Sequence, residues 1–237
     1  ERSLMRTLSS LDRPAAHAEH ALVSAILHGD YPPGAALPAE RELAVQIGVT
    51  RPTLREALQR LARDGWLTIQ QGKPTLVNDY WRVGGLGVLS ALTHPDNGLP
   101  LPKGFIPNLL EVRLLLAPAY ARAAVERNPG PVADLLAQAA ALEPMPAELA
   151  SFDWRVQHML TVASGNPIYT LILNGFAGFY EQMACRYFAR AEARDASLDF
   201  YRQLHAAALR GDAAGAETLT RQAMLRSIDL WRADGES

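Results

Sequence analysis

The stretch Pro38-Ala-Glu-Arg-Glu-Leu-Ala-Val-Gln-Ile-Gly48-Val-Thr50-Arg-Pro-Thr-Leu-Arg-Glu-Ala-Leu58 decides how the first part of the chain folds. Pro38 opens a short helix that turns Leu43, Ala44 and Ile47 inward, and Gly48 ends it. Thr50 is a suitable N-cap for a second helix, and Pro52 sits in its first turn, where a missing N–H costs nothing. That helix puts Leu54, Ala57, Leu58 and Leu61 on one face and ends near Gly65. Two helices joined by the short Ile47-Gly48-Val49 turn form a helix-turn-helix.

Beyond Gly65, Trp66-Leu-Thr-Ile-Gln70 and Pro74-Thr-Leu-Val-Asn78 alternate around a Gln71-Gly72-Lys73 turn, which predicts a β-hairpin, the wing. Before Pro38, the stretch from Ala15 to Leu27 carries apolar residues at 22, 23, 26 and 27, helical spacing that Gly29, Pro32, Pro33 and Gly34 terminate. The fold class that follows is an α/β winged helix-turn-helix N-terminal domain over residues 1–80. A linker with a short helix, 81–105, leads to an all-α helical-bundle ligand-binding domain over 106–237. Helices are expected near 84–92, 106–127, 131–142, 147–163, 167–189, 195–210 and 213–233, with a loop over 93–105 and no strand after residue 80. Their breaks are Asn128-Pro-Gly-Pro131, Ser164-Gly-Asn-Pro167 and Gly211-Asp212, the last placing a C-terminal glycine before an N-capping aspartate. Pro118 predicts a kink.

Composition narrows the class. A single cysteine, Cys185, excludes an intramolecular disulfide and suits a reducing compartment. No apolar run reaches the roughly 20 residues of a spanning helix: the longest, Ile106 to Tyr120, is broken by Asn108, Glu111 and Arg113. No signal peptide is visible, so a soluble, cytoplasmic protein is expected. The net charge of -2 argues at first against a nucleic-acid partner. The average conceals a basic island. Residues 41–73 hold Arg41, Arg51, Arg55, Arg60, Arg63 and Lys73 against only Glu42, Glu56 and Asp64, a local +3.

That island falls on the helix-turn-helix and wing. Arg51 and Arg55 are spaced i, i+4 and share a face opposite Leu54, Leu58 and Leu61. In a helix seated in the major groove the N-terminal residues meet base edges and phosphates, and an arginine fork fits guanine or phosphate. Arg41 is placed for a phosphate or a groove-edge base. The Gln71-Gly72-Lys73 turn brings backbone close to the minor groove, where a side chain would clash. Two arginines alone are weak grounds, since a charged helix face is usually only solvated. The combination with a glycine turn and a glycine-tipped hairpin is more specific.

These residues resemble the GntR family of transcription regulators, and more narrowly its fatty-acid-responsive branch. The resemblance rests on Pro38 through Leu58, on Leu58-Gln-Arg-Leu-Ala-Arg-Asp-Gly-Trp-Leu-Thr-Ile-Gln70 and on Gly72-Lys-Pro-Thr75. It continues through Asn108-Leu-Leu-Glu-Val-Arg113, Ala163-Ser-Gly-Asn-Pro-Ile-Tyr169, Leu171-Ile-Leu-Asn-Gly175, Arg186-Tyr-Phe188 and Phe200-Tyr201. It implies a homodimeric repressor and activator that binds palindromic operator DNA and is released by long-chain acyl-CoA. The DNA contacts it implies are Arg41, Arg51, Thr53, Arg55 and Gly72, with Gln71 and Lys73 beside them at the wing tip. Two positions depart from the family pattern: Pro52 stands where threonine is familiar, and Gln71 where the wing carries histidine.

A bundle core is a common ligand site. An acyl-CoA pocket needs apolar walls, a few polar groups and a cation, which Arg113, Tyr187, Ser227 and Trp231 supply from separate helices. The resemblance implies the same four positions. Tyr and Trp on an apolar helix more often belong to a core. Met224, one turn before Ser227, occupies a position expected to be glycine, and its thioether narrows the tunnel. The wider family often holds a metal with one Asp and three His. Here Asp153 fits, but the histidine positions fall on Gln157, Tyr201 and Ala223, so no metal and no cofactor is expected. His158 and His205 read as surface or core residues, and Cys185 as inert packing.

Three other readings carry discriminating features. A regulator of the same family could instead sense a different small organic acid or acyl ligand; the organic-acid sensor would carry the metal tetrad. A bundle enzyme such as a thioesterase would need a nucleophile beside a base, and no such spacing is present. An architectural protein would not prefer palindromic DNA.

Overall fold

The computed structural model of the chain describes residues 14–93 and 104–235. These fall into two compact units, one within residues 1–100 and one within 101–237.

In the first unit, α1 (Pro14–His28) packs against α3 (Arg51–Asp64), with α2 (Glu40–Ile47) between them in sequence. The apolar faces behave as their spacing demands: Leu22, Val23, Ile26, Leu43, Ala44, Leu54, Ala57, Leu58 and Leu61 are all buried. Ile47, expected inward, is only half-buried. Gly48 closes α2 at φ 78° and Gly65 closes α3 at φ 96°, left-handed conformations that favour glycine. Gly65 has a second reason to lack a side chain: a Cβ there would lie 2.8 Å from Gly84 Cα.

The hairpin forms as expected but is short. Strand β1 (Leu67–Thr68) pairs antiparallel with β2 (Leu76–Val77), Leu67 opposite Val77. A third segment, unforeseen from sequence, completes this small sheet. Gly34 N donates to Val77 O, Val77 N to Ala35 O and Leu37 N to Thr75 O, at 2.8–2.9 Å, with Ala36 bridged to Leu76. The run after Pro32-Pro33 is therefore both a helix stop and a sheet edge. The segment read as a linker carries two short helices, α4 (Tyr80–Val83) and α5 (Leu86–Leu92), rather than one near 84–92. They belong to the first unit: Tyr80 stacks 4.8 Å from the fully buried Trp66, and Gly85 N donates to Asp64 O. The loop expected over 93–105 lies, apart from Thr93, Gly104 and Phe105, outside the described residues.

The second unit is all helix among the described residues. Its elements are α6 (Phe105–Arg127), α7 (Pro129–Leu136), a 3-10 segment (Ala137–Ala141), α8 (Pro146–Ala163), α9 (Pro167–Asn174), α10 (Ala177–Phe188), α11 (Ala191–Arg210) and α12 (Ala213–Gly235). Helix α6 packs most extensively on α12, and α8 on α10. The expected breaks are present with their caps. Asn166 Oδ1 accepts from Ile168 N at 3.1 Å; Gly211 is left-handed at φ 64°; Asp212 Oδ1 accepts from Gly215 N at 2.8 Å. Pro118 lies buried within α6.

Three boundaries differ. The single helix expected over 167–189 is two, α9 and α10, parted at Gly175-Phe176. The apolar period runs on through the break, but glycine there weakens the helix. Helix α11 starts at Ala191, four residues before the expected 195. The α-helix expected to reach residue 142 tightens after Leu136 into the 3-10 segment. Among the described residues no helix is long and apolar enough to cross a membrane.

Candidate nucleic-acid face and ligand cavity

The candidate nucleic-acid face is built at the start of α3. Thr50 Oγ1 accepts from Thr53 N at 3.4 Å and lies 2.8 Å from Thr53 Oγ1, so the cap also orients the Thr53 hydroxyl. Pro52 falls in the first turn and removes no helical hydrogen bond. With the leucine face buried, Arg51 and Arg55 stand exposed on the other side, and Arg41 is exposed on α2. The guanidinium groups of Arg41 and Arg51 pair with no described residue. Arg55 is different: its Nε donates to Glu40 Oε2 at 2.7 Å.

At the wing, Gln71, Gly72 and Lys73 are exposed, and Gly72 has φ 73° with open space where a Cβ would stand. Lys73 N donates to Gln70 O at 3.1 Å and tightens the turn. One groove is lined by Arg55, Glu40 and these three wing residues. Arg41, Arg51 and Thr53 lie outside it. Sequence reasoning missed Glu40, although it lies within the stretch that defines the motif.

The second site is a cavity of about 120 Å³ inside the second unit. Arg113 from α6, Tyr187 from α10, and Met224, Ser227 and Trp231 from α12 all line it, so the structure brings together every ligand position read from the sequence. Its walls are otherwise mostly apolar, among them Ile106, Leu110, Phe176 and Phe179. Met224 is 5% exposed and belongs to the bundle core. The Ser227 hydroxyl donates to Met224 O at 2.8 Å, within its own helix. The Arg186 guanidinium lies 5.5 Å from the Trp231 ring.

The polar centre of the cavity is a relay. Arg113 Nη2 donates to Tyr180 Oη at 3.0 Å, and Tyr180 donates to Asp153 Oδ2 at 2.6 Å. Tyr201 donates to Asp153 Oδ1 at 2.7 Å. Arg113 Nε is buried without a partner. Burial acts to lower the Arg113 pKa, but Tyr180 and Asp153 outweigh it and hold the guanidinium charged. Burial, reinforced by Asp153, pushes the Tyr180 and Tyr201 phenols well above their ordinary value, so both remain donors. Burial also raises the Tyr187 phenol.

Sequence reasoning missed Tyr180. Its one signal was spacing: Tyr180 and Tyr187 are seven residues apart and share a face of α10.

Two members of this relay, Asp153 and Tyr201, stand at positions compared with a metal tetrad. Asp153 is held by two phenols; Gln157 Oε1 accepts from Tyr120 Oη at 2.6 Å; Ala223 offers no donor. Among the described residues no three His, Cys, Asp or Glu side chains are grouped to share a metal ion. His158 is half-buried against Trp154, their rings 5.9 Å apart. Cys185 packs beside Leu149, Ala150 and Phe188.

Comparison with known proteins places this arrangement. Residues 14–77 match the family described as bacterial regulatory proteins, gntR family. Residues 78–236 match the FadR C-terminal domain. A protein of Shewanella pealeana named fatty acid metabolism regulator protein is 44% identical over 222 residues, covering 92% of this chain and 91% of the relative. One of the same name from Pectobacterium carotovorum is 48% identical over 193 residues, covering 81% and 80%. The solved structure of Lar, which controls expression of the Listeria monocytogenes agr system, covers 96% of this chain and 98% of its own. Its TM-score is 0.55 at 17% identity, a likeness of fold.

Proposed function

The chain belongs to the FadR branch of the GntR family of bacterial regulatory proteins, and from that premise we propose that it is a cytoplasmic, homodimeric regulator of fatty acid metabolism that senses long-chain acyl-CoA. It is a transcription regulator, not an enzyme. In this reading it binds a palindromic operator, represses fatty acid degradation genes, activates those of unsaturated fatty acid synthesis, and leaves the operator when acyl-CoA is bound.

The observation that carries the reading is the convergence of Arg113, Tyr187, Met224, Ser227 and Trp231 on one cavity. Its apolar walls suit an acyl chain, and the unpartnered Arg113 Nε suits a carbonyl oxygen. In the first unit, Arg51 and Arg55 present forks to the major groove, Arg41 and Thr53 flank them, and Gln71, Gly72 and Lys73 follow the adjacent minor groove. The residues after 82 hold more acids than bases, so non-specific attraction to DNA is modest. Affinity then depends on two copies of a small basic face engaging one operator. A ligand that alters the dimer geometry is an effective switch.

By linkage, operator must weaken acyl-CoA binding by the same factor by which acyl-CoA weakens operator binding. Calorimetric titration of acyl-CoA into protein alone and into the operator complex tests this. Equal affinities in the two titrations would refute the coupling. Native mass spectrometry of the purified protein reports dimer and bound ligand together.

A further inference from the structure

Two charged side chains, Arg113 and Asp153, stand among the described residues that line the cavity, and every other lining residue is uncharged. They are joined through one phenol, Tyr180 Oη, which accepts from Arg113 and donates to Asp153. Resting on the acyl ligand reading above, we propose that Asp153 is a charge filter: it makes the cavity electrically neutral, so that the site takes an acyl group whose head is an uncharged carbonyl, a thioester or amide, and refuses an acyl carboxylate.

Arg113 alone would attract a fatty acid anion. Asp153 already satisfies that charge, and both its oxygens are committed, one to Tyr180 and one to Tyr201. Arg113 keeps a buried hydrogen-bond donor without a partner, Nε. A neutral carbonyl accepts from that N–H and leaves the charge of the cavity at zero. A carboxylate reaching the same N–H leaves a net negative charge in an apolar enclosure with no second cation among the described lining residues. The phenols stay protonated and offer it no relief, because their hydrogens already point at Asp153.

Removing one like charge ~6 Å from a bound anion, at an effective dielectric of ~20, changes affinity by ~100-fold. The test measures binding of three ligands to the full chain by calorimetry near neutral pH: S-dodecanoyl-N-acetylcysteamine, N-methyldodecanamide and dodecanoate. None carries the phosphates of coenzyme A, so the polar centre is read alone. The wild type is expected to bind the thioester and the amide alike and dodecanoate more weakly than either. In Asp153→Asn, the ratio of dodecanoate affinity to thioester affinity is expected to rise ~100-fold.

Equal binding of dodecanoate and thioester by the wild type overturns the filter. So does refusal of the amide together with the carboxylate, which needs no variant to observe. A folded Asp153→Asn protein that binds the thioester and still refuses dodecanoate overturns it as well. If the wild type binds neither the thioester nor palmitoyl-CoA, the acyl reading itself falls, and the filter with it.

Discussion

Glu40 Oε2 lies 2.7 Å from Arg55 Nε, tying the start of α2 to the first turns of α3. Both side chains are well exposed, 71% for Arg55 and 36% for Glu40, so the pair contributes at most about 1 kcal/mol to stability. Its consequence lies in binding, because it fixes an arginine of the basic face and places a carboxylate beside it. Glu40→Gln is expected to raise affinity for random duplex and to steepen the logarithmic salt slope by about 1. Operator discrimination falls, since Arg55 then samples many phosphates. Fluorescence anisotropy on operator and random duplex over a salt series checks this. An unchanged ratio of the two affinities would discard the role given to Glu40.

Arg51 has no partner among the described residues and opens α3, the position from which a helix in the major groove meets bases. Arg51→Ala is expected to cost about 1–3 kcal/mol on the operator and to relax specificity. If operator and random duplex lose affinity equally, Arg51 contacts phosphate instead.

These two arginines illustrate what was legible in the sequence. Helix α3 was fully marked: a capping threonine, a proline in the first turn, a leucine face and a closing glycine all agree. The third segment of the small sheet was not, because Gly34-Ala-Ala-Leu37 follows two prolines and has no alternating pattern. The break at Gly175-Phe176 was hidden by an apolar period that continues across it. In the cavity, resemblance supplied the lining residues. The Arg113–Tyr180–Asp153–Tyr201 relay depends on how α6, α8, α10 and α11 align in space, which local spacing does not encode.

Met224 is buried and borders the cavity at the same time. Met224→Ala is expected to cost about 2 kcal/mol, the low end for such a truncation, because part of the surrounding space is already empty. The enlarged cavity is expected to shift preference toward longer acyl chains. Thermal melting reads the first effect, and affinities across a series of acyl-CoA lengths read the second. An unchanged length profile would show that Met224 does not limit the tunnel.

Tyr201 is fully buried, and its phenol donates to Asp153. Its folded pKa is raised well above the ordinary value, as is that of Tyr180, chiefly by burial. A group whose folded pKa is raised holds more protons in the native state than in the unfolded one between the two values, so stability falls as pH rises there. The contribution is complete below the unfolded tyrosine pKa of about 10 and is lost progressively above it. The second unit is therefore expected to melt at steadily lower temperature above about pH 10. Tyr201→Phe removes one of the two groups and flattens that alkaline slope. At neutral pH it also leaves an Asp153 oxygen without its donor, at a cost of about 1–3 kcal/mol. Calorimetric melting from neutral to strongly alkaline pH separates the two effects. An alkaline slope identical in the variant and the wild type would show that Tyr201 does not carry the proton linkage.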